Sequence, residues 1–189
     1  AMVRQRCAGP VRFRVSPRMT RTGGSTSWQR SRHVARPRYE IAVAGRLLAV
    51  SFGGPGRAVT ACGRPCATRL DALQRIFEHE LVHLVELLCW GESHCGEARF
   101  RMLARNLFGH TATTHDLITA REHAERRHGV RVGRRVRFAY RGRPMEGWVN
   151  RVHRRATVLV PAPDGQRYSD GGTYHKFYVP LDRLTPLAD

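Results

Sequence analysis

From Leu73 onward, apolar residues recur every three or four positions: Leu73, Phe77, Leu81, Leu84 and Leu88. That spacing predicts a helix with these residues as its buried stripe. Thr68 stands where the helix would begin, and Asp71 three residues on suits the first turn. Gly91 supplies a stop. The helix so bounded has about 20 residues, within the ordinary range. A second helix is expected from about Glu97 to Phe108, with Phe100, Leu103 and Leu107 inward and Gly109 as its cap. A third opens at the capping box Thr119-Ala120-Arg121-Glu122 and stops at Gly129.

Elsewhere the period is two. Val11 to Val15 alternates apolar residues with arginine, as an exposed strand does, and a short strand is expected at Ser25 to Trp28. Tyr39 to Val43 and Leu47 to Phe52 read as strands joined around Gly45-Arg46. Gly53-Gly54-Pro55-Gly56 breaks the pattern. Beyond residue 130, Val130, Val132, Val136 and Phe138 alternate, followed by apolar stretches at 147–149, 156–160 and 174–179 with glycines and prolines between. Short strands with frequent turns predict a small β-barrel of the SH3 or tudor type. Its aromatics Trp148, Tyr168, Tyr174 and Tyr178 either grip a partner or fill the barrel, and Trp148 is assigned to the core. The expected organisation is a disordered arm over 1–9, a first domain over 10–129 and the barrel over 130–189.

Charge changes this picture. The net charge is +18, but residues 1–38 carry ten arginines and no acid, residues 39–129 carry 11 basic and 10 acidic residues, and residues 130–189 carry 12 basic and 5 acidic. A near-neutral middle with basic flanks is the footprint of a protein that docks on DNA or RNA through its periphery. Arg12, Arg14, Arg134, Arg135, Arg154 and Arg155 are the candidates for phosphate contacts. The plainer reading is a solvated basic surface that serves solubility.

No run of 18 apolar residues is present, so no membrane partner is expected, and no secretory apolar core follows the N-terminal charge. Five cysteines in no disulfide-like pattern read as free thiols. A cytoplasmic, nucleoid-associated protein is expected. Cys62 and Cys66 are too widely spaced for a redox C-x-x-C, and a structural zinc held by Cys62, Cys66, Cys89 and Cys95 would have unusual spacing.

The candidate chemistry lies inside the first helix, in His79-Glu80-Leu81-Val82-His83. Two histidines four residues apart on a helix point the same way and can meet one metal ion. The glutamate between them is the base that a zinc hydrolase uses on water. Catalytic zinc keeps three protein ligands and an open position. The helix ends near Cys89, about 9 Å past His83 at 1.5 Å per residue. Five further residues span ~16 Å, so His94 can return to the metal. His94 is therefore the nearest third ligand, with Cys95, Glu97, His110 and His115 as rivals. Glu86, one turn past His83, would orient His83 or another basic group. These residues predict a zinc-dependent endopeptidase acting on protein substrates. The alternative is a non-catalytic module that binds nucleic acid or protein and holds a structural zinc.

The stretch His79 to His115 resembles the SprT-like family of zinc metallopeptidases, which includes the Spartan proteases that act on DNA-bound proteins. The resemblance rests on the helical motif, then Ser93-His94-Cys95-Gly96-Glu97-Ala98-Arg99-Phe100, Leu107-Phe108-Gly109 and Thr114-His115. Val11 to Val15, Gly23-Gly24 and Tyr39 to Val43 look like the strands that precede the motif in that family, so the likeness spans roughly residues 10 to 128. It implies an α+β fold: a zincin-like catalytic domain with a small antiparallel sheet and the H-E-x-x-H helix, followed here by the barrel. It also implies Zn(2+) as cofactor and DNA-bound proteins as substrates. The family's third ligand is a histidine directly before glycine, whereas Cys95 here separates His94 from Gly96.

Overall fold

The computed structural model describes residues 10–29, 37–54 and 57–188. The expected arm over 1–9, with Cys7, lies outside them, as do Pro55 and Gly56. The chain divides into two units, Ala1–Ile118 and Thr119–Asp189. The division falls before the third helix, not after it.

The first unit opens with a three-stranded sheet of β1 (Val11–Ser16), β2 (Gly24–Gln29) and β3 (Arg38–Ala44), in the order β1-β3-β2. Tyr39, Ile41, Ala42, Val43 and Ala44 are all buried, so β3 is apolar on both faces and takes the centre. β2 pairs with it antiparallel and β1 parallel, from Val11↔Tyr39 to Ser16↔Ala44. The sheet is therefore mixed, not antiparallel.

The second half of the expected hairpin is a helix, α1 (Gly45–Ser51). Leu47, Leu48 and Ser51 are its buried residues, at the three-to-four spacing of one helical turn. β4 (Val59–Ala61) and β5 (Arg64–Cys66) follow as a hairpin. Its two-residue turn has φ of +54 at Cys62 and +74 at Gly63, the positive pair of a type I′ turn.

α2 (Arg69–Cys89) carries the motif and begins as its sequence predicts, with a full capping box between Thr68 and Asp71. The apolar stripe sits elsewhere. Leu73, Phe77, Leu81 and Leu88 are only partly buried, while Ala72, Ile76 and Val82 are fully enclosed. The helix is packed on several sides. Leu84 and Leu87 meet Tyr39 and Ile41 of β3, and Val82 meets Phe100 and Ala104 of α3 (Ala98–Phe108). Burying a side chain the size of Phe100 contributes roughly 1.5–3 kcal/mol. α3 ends on Gly109 in the left-handed region, φ +66, but Leu107 points outward. β6 (His115–Asp116) then returns along β4, setting His115 opposite Ala61.

The second unit contains α4 (Ala120–His128), β7 (Arg135–Tyr140), β8 (Arg143–Val152), β9 (Arg155–Arg167), β10 (Thr173–Pro180) and β11 (Thr185–Pro186). Thr119 caps α4 by accepting from the Glu122 N–H. Ala124 and Val130 pack with Val136, Phe138, Val149 and Val158 in one core, which is why this helix goes with the C-terminal unit.

Its five strands form one antiparallel sheet in the order β10-β9-β8-β7-β11. No pairing joins β10 to β11 among the described residues, so the expected closed SH3/tudor-like barrel is not formed. β11 has two residues and ends in Pro186, which has no N–H to extend a ladder. Nor is Trp148 a core residue, for it is 42% exposed. With three separate sheets, one of them mixed, the zincin-like arrangement expected for the fold is not what this chain shows.

Candidate metal centre

α2 sets His79 and His83 one turn apart, and their Nε2 atoms face each other at 3.2 Å. Two nitrogens bound to one tetrahedral zinc at ordinary bond lengths would be about 3.3 Å apart. A third donor approaches from the loop after the helix, where a ligand atom of Cys95 lies within 4.8 Å of those of both histidines. The adjacent His94 is exposed and joins neither group of candidate ligands found among the described residues. Two imidazoles and one thiol are donors zinc accepts, and three of them leave the fourth position of a catalytic site.

Hydrogen bonding fixes the tautomer of His83. Ser93 Oγ donates to Glu86 Oε2 at 2.6 Å, because the carboxylate can only accept. That uses the one hydroxyl proton of Ser93. His83 Nδ1, 2.7 Å from the same oxygen, must then be the donor. The lone pair of His83 is left on Nε2, aimed at His79. Glu86 is wholly buried, and its other oxygen takes a 2.7 Å hydrogen bond from Arg99 Nε. Burial alone would raise its carboxyl, but Ser93, Arg99 and the His94 N–H outweigh burial and hold it below the ordinary range. So Glu86 orients His83, and Ser93, which the motif does not reveal, is the link.

Burial, then the positive charge of His115, His83 and His110 when protonated, pulls His79 down to about 3. Burial also lowers His83, against the opposing pull of Glu86. Both rings are therefore neutral near pH 7, as ligands must be.

Glu80 is buried beside the start of β2. Thr26 Oγ1 lies 2.8 Å from its Oε2 and 2.9 Å from its backbone oxygen. Burial pushes the Glu80 carboxyl up to about 7, and the Thr26 hydrogen bond pulls the other way. The approach of β2 needs glycine. A Cβ on Gly24 would stand 2.6 Å from Glu80 Oε1, and one on Gly23 would stand 2.9 Å from His115 Cδ2.

The remaining candidates fall elsewhere. His110 is buried against Glu78, with Nε2 3.0 Å from Oε2. Glu97 is an exposed N-cap of α3. His115 meets Cys62 and His79 in a separate group. Cys62, Cys66, Cys89 and Cys95 are free, and no single group gathers them.

Of the candidate phosphate contacts, Arg12 and Arg14 share the carboxylate of Glu40, Arg134 Nη2 donates to the Leu187 oxygen, and Arg135 pairs with Glu146. Arg154 and Arg155 instead line a cavity of about 400 Å³ with Arg151, Lys176 and Tyr178, and among the described residues no acidic side chain lines it. No protein-family model, curated protein or solved structure matches the chain.

Proposed function

We propose that this chain is a zinc-dependent endopeptidase of the SprT-like type, working on proteins held at nucleic acid. The reading is carried by the facing Nε2 atoms of His79 and His83, 3.2 Å apart with Cys95 beside them, on the helix that also holds buried Glu80. His79, His83 and Cys95 would hold the ion, which when bound supplies Lewis acidity and lowers the pKa of water toward ~7. Glu80 takes the proton from the attacking water and passes it to the leaving amide nitrogen. Thr26 fixes where that carboxylate points. The Glu86–Ser93 pair keeps the His83 lone pair on Nε2.

β2 is an edge strand whose outer side is unpaired among the described residues. An extended polypeptide that adds to this edge passes the Thr26–Glu80 contact, and backbone pairing of that kind reads little sequence. In the C-terminal unit, the cavity lined by Arg151, Arg154, Arg155 and Lys176 suits a phosphate backbone, and exposed Tyr178 offers a face for a base. A polyanion-directed charge and free thiols fit a cytoplasmic, nucleoid-associated place. Among the described residues, no helix is long and apolar enough to cross a membrane.

The test compares the native chain with Glu80→Gln for zinc per chain and for cleavage of a protein substrate, with and without DNA. Both should hold about one zinc, and only the native chain should cleave. A cleaving Glu80→Gln chain removes Glu80 as the base. A zinc-loaded native chain that cleaves nothing leaves the non-catalytic binding module.

A further inference from the structure

His79 belongs to two sets of candidate ligands. One set adds His83 and Cys95, the other Cys62 and His115, and each has its ligand atoms within 4.8 Å of one another. The His79 ring packs against both histidines, 4.9 Å by ring centroids from His83 and 5.0 Å from His115. When Nε2 is given to His83, Nδ1 of His79 remains, and it is buried with no hydrogen-bond partner among the described residues. A buried, unpartnered ring nitrogen is costly unless something meets it.

The second set is rigidly built. Cys62 is wholly buried at the first turn position of the β4–β5 hairpin, in a positive-φ conformation that few non-glycine residues adopt. Its N–H donates to the Thr114 oxygen at 2.9 Å, and its oxygen accepts from the N–H groups of Thr111 and Ala112. These bonds lock the hairpin tip to the segment that delivers His115, and Cys62 Sγ comes 3.7 Å from His115 Nδ1. Gly23 passes so close over His115 that a Cβ there would have to displace it.

We propose that Cys62, His79 and His115 form a second metal position that excludes the first. A neutral imidazole keeps a proton on one nitrogen and so offers one lone pair. An ion held by Cys62, His79 and His115 therefore takes His79 away from His83 and Cys95. Binding there converts the Cys62 thiol to thiolate and releases its proton to solvent. The ligand is a thiophilic divalent ion such as zinc. The ion's position is then a regulatory choice: beside His83 and Cys95 it supports cleavage, and beside Cys62 it is held in reserve. That consequence rests on the peptidase reading, whereas the second position itself does not.

The full chain, stripped of metal, is titrated with Co(II), following thiolate-to-cobalt absorption and cobalt retained per chain. The double variant His83→Ala/Cys95→Ala has lost the first position. It should still take up about one cobalt with a thiolate band, now from Cys62. Adding Cys62→Ala should abolish the band. Because buried Cys62 supports the hairpin, His115→Gln added to the same double variant is the second control, and it should weaken uptake at least tenfold. The native chain should saturate near one ion, not two. A double variant that binds no cobalt overturns the second position, and two ions on the native chain overturn the exclusion. Both results are read without any cleavage assay, so they stand apart from whether Glu80→Gln cleaves.

Discussion

Ser93 Oγ donates to Glu86 Oε2 at 2.6 Å, and this one bond decides which nitrogen of His83 can bind metal. With the hydroxyl proton committed, His83 Nδ1 must donate, and Nε2 is free. Ser93→Ala removes the acceptor, leaving Nδ1 without its partner and the ring free to change tautomer or turn. Groups in this role are worth 10–100-fold in metal affinity. We expect Ser93→Ala to weaken zinc binding by roughly tenfold or more, with little change in circular dichroism. Competition with a chromogenic chelator measures it, and native affinity in the variant would remove Ser93 from the site.

The third ligand separates two neighbours. With the second position removed by Cys62→Ala, adding Cys95→Ala should cost the chain its zinc and adding His94→Ala should leave it, because Cys95, not His94, is grouped with both histidines. Elemental analysis after dialysis against a weak chelator reads both. Zinc lost with His94→Ala and kept with Cys95→Ala would reverse the assignment.

Gly24 tests Glu80 without touching it. A Cβ at Gly24 would stand 2.6 Å from Glu80 Oε1 and 2.7 Å from its Cγ, so the Glu80 side chain as a whole must shift, while no backbone atom is among these nearest contacts. Gly24→Ala should therefore fold and bind zinc, yet displace the carboxylate from Thr26. Cleavage should fall by roughly 10²-fold or more, the scale of a misplaced general base. Unchanged kcat in a zinc-loaded Gly24→Ala chain would show that the Glu80 position is not critical.

What could be read from the sequence follows from how local each feature is. Thr68, Asp71 and the helical spacing up to Cys89 lie within one segment, so α2 is legible with its cap and its motif. Leu47 to Phe52 misleads because a short apolar run fits both periods, and only the burial of Leu47, Leu48 and Ser51 marks it as helix. That Cys95, not His94, is grouped with His79 and His83 follows from packing: Cys95 tucks against the Val82 and Phe100 cluster while its neighbour faces water. No spacing rule contains that. Barrel closure depends on whether β10 meets β11; the short turn Leu181–Arg183 between them instead carries β11 to β7, and alternation alone cannot show that. The Cys62-Gly63 turn lacks the Asn-Gly or Asp-Gly signature of its type, so the grouping of Cys62 with His115 appears only in three dimensions.

Glu86 should leave a mark on acid stability. Its folded carboxyl is held below the ordinary range, so it stabilises the fold above its unfolded pKa of about 4.3, and that stability is lost as pH falls through the folded value. Glu86→Gln loses the charge and part of the hydrogen bonding to Ser93 and Arg99, at a cost of roughly 2 kcal/mol at pH 7. Below both pKa values the gap between native and variant should narrow. Urea midpoints at pH 7, 5 and 3 follow it, and a gap that stays constant with pH would mean the carboxylate form is not the one that stabilises.

The cationic cavity makes the polyanion reading measurable. Arg154 and Arg155 line it with Arg151 and Lys176, and no acid among the described residues there competes with phosphate. Arg12, Arg14 and Arg135 already have carboxylate partners on Glu40 and Glu146, so removing them releases an acid as well as a base. The two classes should therefore behave differently. Arg154→Ala/Arg155→Ala should reduce the slope of log K for DNA against log salt by about two, one for each lost phosphate contact. Arg12→Ala/Arg14→Ala should change it by less, because Glu40 is left uncompensated at the same surface. Tyr178, 64% exposed beside the cavity, adds a stacking face, so Tyr178→Ala should weaken single-stranded more than double-stranded DNA with the slope unchanged. Fluorescence anisotropy from low to moderate salt gives every quantity. A native slope near zero would make the basic flanks a matter of solubility, and equal slopes in the two arginine variants would move the interface away from this cavity.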